Sequence, residues 1–361
     1  MAQWRHYLLF WQGFLVRFFV LCLFLLTSLL SFNSYAIKVS DLYRVSVAVD
    51  DQTTESRNQG VQWAFQQLLV KVSGDHEILS NPTLVTASVD AQRYLQGFSY
   101  QTDMVDDQLY LEAWFSKALV VPLLKRAEAP IWGENRPLLL NWLAIEQKAD
   151  KGDIKERILV SNSYPKWQGR FTRVFAERGL PILWPTDDLE DSSALPIEQL
   201  WWLMPESIKQ ASLRYQADAV LAGRLNQSSE GIWQYEGVLF SGEKSLSLLT
   251  SGETPQQALA KVTTELSGYF AERFAIKPSS ADNRQGIRVV ITKVKDFTDY
   301  SQVLSYLNNI TGVRSIEVAQ VDRDNLELYL NLEGDWAKVQ RIIRLDKKLT
   351  SVQEKEFEWA Q

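Results

Sequence analysis

Two proline-marked breaks divide this chain before any element is assigned. Ala129-Pro130 through Arg136-Pro137 is bracketed by prolines, and Lys277-Pro278-Ser279-Ser280-Ala281-Asp282-Asn283 is polar, opens on a proline and shows no apolar periodicity. Regular structure is not expected to run through either, so the fold has to be assembled from small units. A length of 361 residues fits two or three domains. The division expected is an α+β domain over 37–128, a mixed-sheet domain over 129–276, a linker over 277–285, a small domain over 286–349 and a charged, frayed tail over 350–361.

Within these bounds the apolar spacing assigns the elements. Val45, Val47 and Val49 alternate as a half-buried strand requires, and Val61, Ala64, Phe65, Leu68, Leu69 and Val72 fall on one helical face that ends at Ser73-Gly74. Asn81-Pro82 opens a second helix, expected to reach about Leu95. The runs Phe98 to Met104 and Leu109 to Phe115 flank Asp106-Asp107 as a hairpin, and Lys117 to Arg126 closes the domain as a helix.

In the middle domain, strands at 138–145, 157–161 and 180–184 alternate with a helix over 167–178 that Gly179 stops. The helix candidate Ile197 to Gln216 contains Pro205 and should break there. Then follow the buried strand in QADAVLAGRL (216–225), a hairpin over 232–250 and a helix over 255–274. Gly223 in that strand signals a bend or a close neighbour. The last domain reads β-α-β-β-α, the order of ferredoxin-like modules. The fold class expected is α/β to α+β, in three small mixed-sheet domains.

The amino terminus carries Arg5 and Arg17, no acid, the apolar run Phe18 to Leu30 and the small-x-small triplet Ser34-Tyr35-Ala36. This reads as a secretory signal peptide over 1–36, cleaved after Ala36. The alternative is a retained inner-membrane anchor, since Phe10 to Phe32 can span if Arg17 snorkels. Cleavage takes away two arginines and no acid, moving the formal net charge from −6 to −8, and removes Cys22, the single cysteine. An acidic, disulfide-free exported chain with a large core fits the periplasm of a Gram-negative bacterium. Its charge argues against nucleic acid as a partner.

Catalytic sets are hard to assemble from this inventory. His76 is the one histidine left after the signal, and no G-x-S-x-G, H-E-x-x-H or cysteine pair is present, so neither a serine triad nor a zinc site is expected. His76 reads as a polar residue at a helix end. Gly237 to Ser245 resembles a phosphate-binding loop, but Glu243 stands where the lysine belongs and would repel phosphate, so no nucleotide is expected. The acidic groups Asp103, Asp106, Asp107 and Asp187, Asp188, Glu190, Asp191 lack calcium-loop spacing and read as solvated loop acids. No cofactor is expected, and no residue is singled out as catalytic.

Tryptophan is abundant, 13 in all, and Trp167, Trp184, Trp201 and Trp202 fall in the middle domain. Adjacent on a helix, Trp201 and Trp202 diverge by about 100°, so a narrow core stripe cannot take both. Either one is exposed as an anchor for a partner, or a wide face buries both.

The helix and strand around A-D-A-V-L-A-G (217–223) look like the sheet domain of the TolB amino-terminal region and of outer-membrane activators of penicillin-binding proteins, over about 137–275. The order of Y-R-V-S-V-A-V-D (43–50), A-F-Q-Q-L-L-V-K-V-S-G-D (64–75) and R-P-L-L-L-N-W-L-A (136–144) resembles a family of secreted bacterial proteins, domain of unknown function family 2066. The first resemblance implies a protein-binding domain, and the second brings no activity. The expectation is a non-enzymatic periplasmic accessory protein, more a docking module for an envelope or membrane protein in envelope biogenesis than an enzyme. The alternatives are a carboxylate-based enzyme acting on an envelope polymer, with an Asp or Glu of raised pKa in a cleft, and a carrier enclosing an apolar ligand among aromatics.

Overall fold

The computed structural model describes residues 39, 41–102, 108–148, 155–278 and 286–360. The signal segment with its cleavage point after Ala36 and the acidic trio Asp103, Asp106 and Asp107 lie outside them. The amino-terminal part is an antiparallel sheet of β1 (Arg44–Ala48), β2 (Leu95–Thr102) and β3 (Leu109–Phe115) in the order β1-β3-β2. Helix α1 (Thr54–Ser73) packs on it. Thr53 accepts from the Ser56 N–H at its start, and at its end Gly74 enters the left-handed region and returns its N–H to the Val70 carbonyl. All six residues expected on its apolar face are buried, each but Ala64 worth on the order of 1.5 kcal/mol or more of transfer free energy. The second helix, α2 (Pro82–Val89), is shorter than expected. Asp90 terminates it, a 3-10 turn over Ala91–Tyr94 follows, and Leu95 already belongs to β2. Helix α3 (Lys117–Arg126) closes this part as expected.

A six-stranded mixed sheet occupies the middle. Its strands are β4 (Leu139–Lys148), β5 (Lys155–Leu159), β6 (Ile182–Leu183), β7 (Ala219–Gln227), β8 (Trp233–Ser241) and β9 (Lys244–Gly252), in the order β5-β4-β7-β8-β9 with β6 beside β4. The pairs β4–β7 and β4–β6 are parallel and the others antiparallel. One face carries α4 (Pro165–Glu177) and α8 (Pro255–Phe274) over Leu143, Leu221, Leu225 and Tyr235. The opposite face, with Leu140, Trp142 and Ala222, is covered by α6 (Ile197–Trp201) and α7 (Pro205–Ser212). The expected break at Pro205 thus separates two helices. Helix α5 (Leu189–Ala194), absent from the sequence reading, is capped by Asp188.

Gly223 fulfils the close-neighbour reading. It stands opposite Gly237 on β8, and a Cβ on either would lie 2.4 Å from the Tyr235 hydroxyl, so the two glycines make room for that buried ring. Nothing about this corner is open to a substrate.

The third sheet holds β10 (Ile287–Thr292), β11 (Val313–Asp322), β12 (Asn325–Leu332), β13 (Leu349–Gln353) and β14 (Glu356–Trp359), in the order β11-β12-β10-β14-β13. Helices α9 (Phe297–Asn308) and α10 (Trp336–Leu345) bury Val303, Leu307, Val339 and Ile343 against Leu326, Leu328 and Leu330. The expected tail is corrected here: 349–359 is a hairpin. Its second strand, β14, pairs parallel with β10 and supplies the fourth strand of the ferredoxin-like fold. Phe357 and Trp359, alternating with Glu356 and Glu358, are buried and hold it in place.

Residues 36–361 form one compact unit. Ile131 of the first connector exchanges main-chain hydrogen bonds with Ile276 beyond α8, and Lys125 pairs with Glu333 at 2.7 Å.

Candidate functional site

Two regions combine exposure with unusual chemistry: a charged cleft beside β1 and a tryptophan face over the second sheet. The cleft encloses about 420 Å³ and is lined by Asp41, Arg44, Lys71, Glu112, Arg173 and Glu177 among others. Lys71 belongs to the last turn of α1 and is 6% exposed; its Nζ donates to the carbonyls of Arg44 at 3.0 Å and Asp41 at 3.3 Å. Burial pushes its ammonium down to about 8, with Arg136 adding to the effect and Asp41 and Glu177 opposing it. Glu177 ends α4. Its side chain stands exposed at the rim of the cleft, where partial desolvation by the surrounding chain raises the carboxyl above the ordinary range, against the pull of Arg178, Arg173 and Lys71. Glu112 is committed to Arg44 and to Gln101, the latter at 3.1 Å. The Arg44 guanidinium also lies 5.1 Å over the Trp114 ring.

Behind the cleft lies Arg136, buried and without a carboxylate. Its five N–H groups go to main-chain carbonyls: Nε to Gly133 at 3.0 Å, Nη1 to Arg178 and Gly179 at 3.0 and 3.2 Å, and Nη2 to Lys71 and Trp132 at 2.7 and 2.9 Å. The guanidinium stacks 3.9 Å from the Trp132 ring. Burial pushes its pKa down to about 9, which leaves it protonated at neutral pH. Gly179, at φ +65°, separates the two cations: a Cβ there would meet Arg136 Nη1 at 2.6 Å and Lys71 Cε at 3.3 Å.

Trp201 and Trp202 part company as their helical step requires. Trp201 is 7% exposed and Trp202 67%. Helix α6 ends between them in a Schellman turn, with Leu203 N–H on Leu200 O at 2.8 Å and Met204 N–H on Gln199 O at 3.0 Å. The left-handed position falls on Leu203, at φ +51°, where glycine is usual; its side chain packs against the core beneath α6. Trp202 and the half-exposed Met204 are thereby turned outward. Arg224 on β7 donates to the Trp201 carbonyl at 2.8 Å and to Glu236 at 2.6 Å, with its guanidinium 5.6 and 5.7 Å from the two indole rings.

In the second acidic cluster Asp187, Asp188 and Asp191 form a structural network, while Glu190 is exposed as expected. Arg214 grips Asp188 with both terminal nitrogens at 2.8 and 2.9 Å and reaches Asp191 at 3.1 Å, while Asp187 accepts from Ser161 at 2.8 Å and Ser163 at 3.0 Å. The Arg214 hydrogen bond holds the Asp188 carboxyl down to about 2. Asp191 is buried and accepts from Tyr215. Among the described residues no group of three or more His, Cys, Asp or Glu is placed to hold a metal ion. His76 is exposed in a 3-10 turn, and Gly242-Glu243 is the two-residue turn of the β8–β9 hairpin.

The sequence reading does not single out Lys71, Glu177 or Arg136 as site residues. One signal was present: Lys71 falls within the buried end of α1, beside Leu68 and Val72.

Residues 36–133 match the family described as Domain of unknown function (DUF8605). The match contributes Asp41, Arg44, Lys71 and Glu112 to the cleft, whereas Arg173 and Glu177 come from beyond it. None of the curated proteins compared matches the chain. Among solved structures, a formyltetrahydrofolate deformylase from Pseudomonas putida KT2440 aligns at 11% identity over 52% of this chain and 86% of its own, with a TM-score of 0.14. Among the described residues no helix is long and apolar enough to cross a membrane.

Proposed function

We propose that this protein is a non-enzymatic accessory protein of the bacterial envelope, exported to the periplasm, which docks a protein partner through the face bearing Trp202. The observation that carries this reading is the Schellman turn after α6. A leucine in the left-handed region costs about 1 kcal/mol, and the turn that accepts this cost leaves Trp202 and Met204 in solvent. Large aromatics beside an arginine are the residues that anchor interfaces. The resemblance of 137–275 to the TolB amino-terminal domain supports docking by analogy, and that of most of the mature chain to the secreted family 2066 supports export alone. A photoreactive amino acid at position 202 should give one discrete protein adduct in intact cells, and the same group at the exposed Val321 should give none. No adduct from 202, or the same adduct from both positions, would sink the proposal.

A second reading is favoured by the cleft. A carboxyl of raised pKa beside a lysine titrating near 8, in a space of about 420 Å³, is the setting a carboxylate enzyme acting on an envelope polymer would use. Glu177 would be the proton donor. Hydrolysis of purified envelope polymer that disappears in Glu177→Gln would establish this reading, and no hydrolysis by the unmodified chain would end it.

A further inference from the structure

The outer edge of β9 has no strand beside it among the described residues. The hairpin closes with Ser241 opposite Lys244, so bonded and non-bonded pairs alternate from that point. Lys244, Leu246, Leu248 and Thr250 therefore direct their main-chain groups to β8, and Ser245, Ser247, Leu249 and Ser251 direct theirs outward. The Ser251 carbonyl accepts from Lys261 Nζ at 2.7 Å, in keeping with this alternation, and that contact closes one end of the edge. Three residues remain with outward N–H and C=O groups, and the Leu249 side chain is 77% exposed.

Edge strands are ordinarily protected by charge, proline or a bulge. The edge strand β11 has two register breaks and carries Arg314, Glu317 and Asp322, and the edge strand β5 carries Lys155, Glu156 and Arg157. From Ser245 to Gly252, β9 has none of these and no register break.

We propose that β9 pairs antiparallel with β9 of a second copy of this chain, about a two-fold axis at Ser247. This register sets Ser245 against Leu249 of the second copy and Ser247 against itself, and each outward donor meets an acceptor. The small serines leave room for the leucines, and no charge faces a like charge. Glu243 and Lys244 lie before the paired segment and Glu253 after it, so the flanking charges are mixed in sign and none stands directly opposite a like charge in this register. The axis stands perpendicular to the sheet and leaves both Trp202 faces on one side, so this proposal does not depend on the docking reading.

The test uses the full chain in a Cys22→Ser background, in the cells that make it. Across such an axis the two Ser247 Cα atoms lie about 5.5 Å apart, within disulfide reach, while the two Ser245 Cα atoms are four residues, about 13 Å, out of register. Ser247→Cys should give a disulfide dimer on oxidation, and Ser245→Cys should give at least tenfold less. In sedimentation of the detergent-purified chain, Ser247→Pro should remove the dimer, because that N–H serves no bond within the subunit; Leu249→Lys, which leaves the backbone unchanged, should do the same. Equal crosslinking at 245 and 247, a Ser247→Cys adduct with a different protein, or a monomer at all concentrations would overturn the proposal.

Discussion

Arg136 and Lys71 are buried cations that meet at one residue, Gly179, yet they are held in opposite ways. Arg136 donates only to main-chain carbonyls. Three of these belong to the carboxyl-terminal ends of α1 and α4, where the helix dipoles gather negative charge, and its guanidinium face is covered by Trp132. Lys71 donates to two carbonyls and lines a cleft that also contains Glu177. The lesson is that burial alone does not mark a functional cation. A fully satisfied guanidinium with no free volume joins segments together; an ammonium bordering open volume can change its protonation or meet a ligand.

The strongest test is Arg136→Lys. A lysine keeps the charge but offers three donors in place of five and cannot reach the same carbonyls in one plane. At least two buried carbonyls would lose their partner, each at about 1 to 3 kcal/mol, so the variant should be destabilised by about 3 kcal/mol. Urea unfolding should show a lower midpoint with an unchanged slope. A variant as stable as the parent would mean that Arg136 does not join α1, the connector and α4.

Lys71→Met should act less on stability and more on its pH dependence. The folded ammonium titrates near 8 and the unfolded one near 10.5, so below pH 8 the fold holds a proton at a cost, and between those values the unfolded chain binds more protons. The parent should therefore gain stability as pH rises from about 8 toward 10.5, by up to ~3 kcal/mol, relative to the variant. Parallel stability curves for the two proteins would place the ammonium in solvent.

How far the chain was legible follows from how local each signal is. The α1 face and the strand alternation in β1 are written at periods of three to four and two residues, the break at Pro205 is written in one residue, and these features formed where expected. Helix α5 depends on the cap by Asp188 and the grip of Arg214 from 26 residues away. The β13–β14 hairpin was hidden by its charges, although Phe357 and Trp359 carry the alternation that buries it. The cleft was least legible. Lys71, Glu112 and Glu177 come from three elements and share no spacing, and Arg136 differs from any other arginine beside a proline only through carbonyls contributed by distant turns.

Glu177→Gln is the gentlest change and the one that separates a site from a scaffold. The neutral amide keeps the shape of an exposed side chain at the cleft rim, so overall stability near neutral pH should change by no more than about 1 kcal/mol. Lys71 loses one of the two carboxylates that favour its charge, so its titration should move below 8, visible as an earlier shift of its ε-methylene resonances on raising pH. Arg136 takes nothing from Glu177 and its five bonds should persist, read by unchanged hydrogen exchange at the end of α1. A Lys71 titration that stays in place in Glu177→Gln would uncouple the two groups and remove the electrostatic basis for treating the cleft as a site.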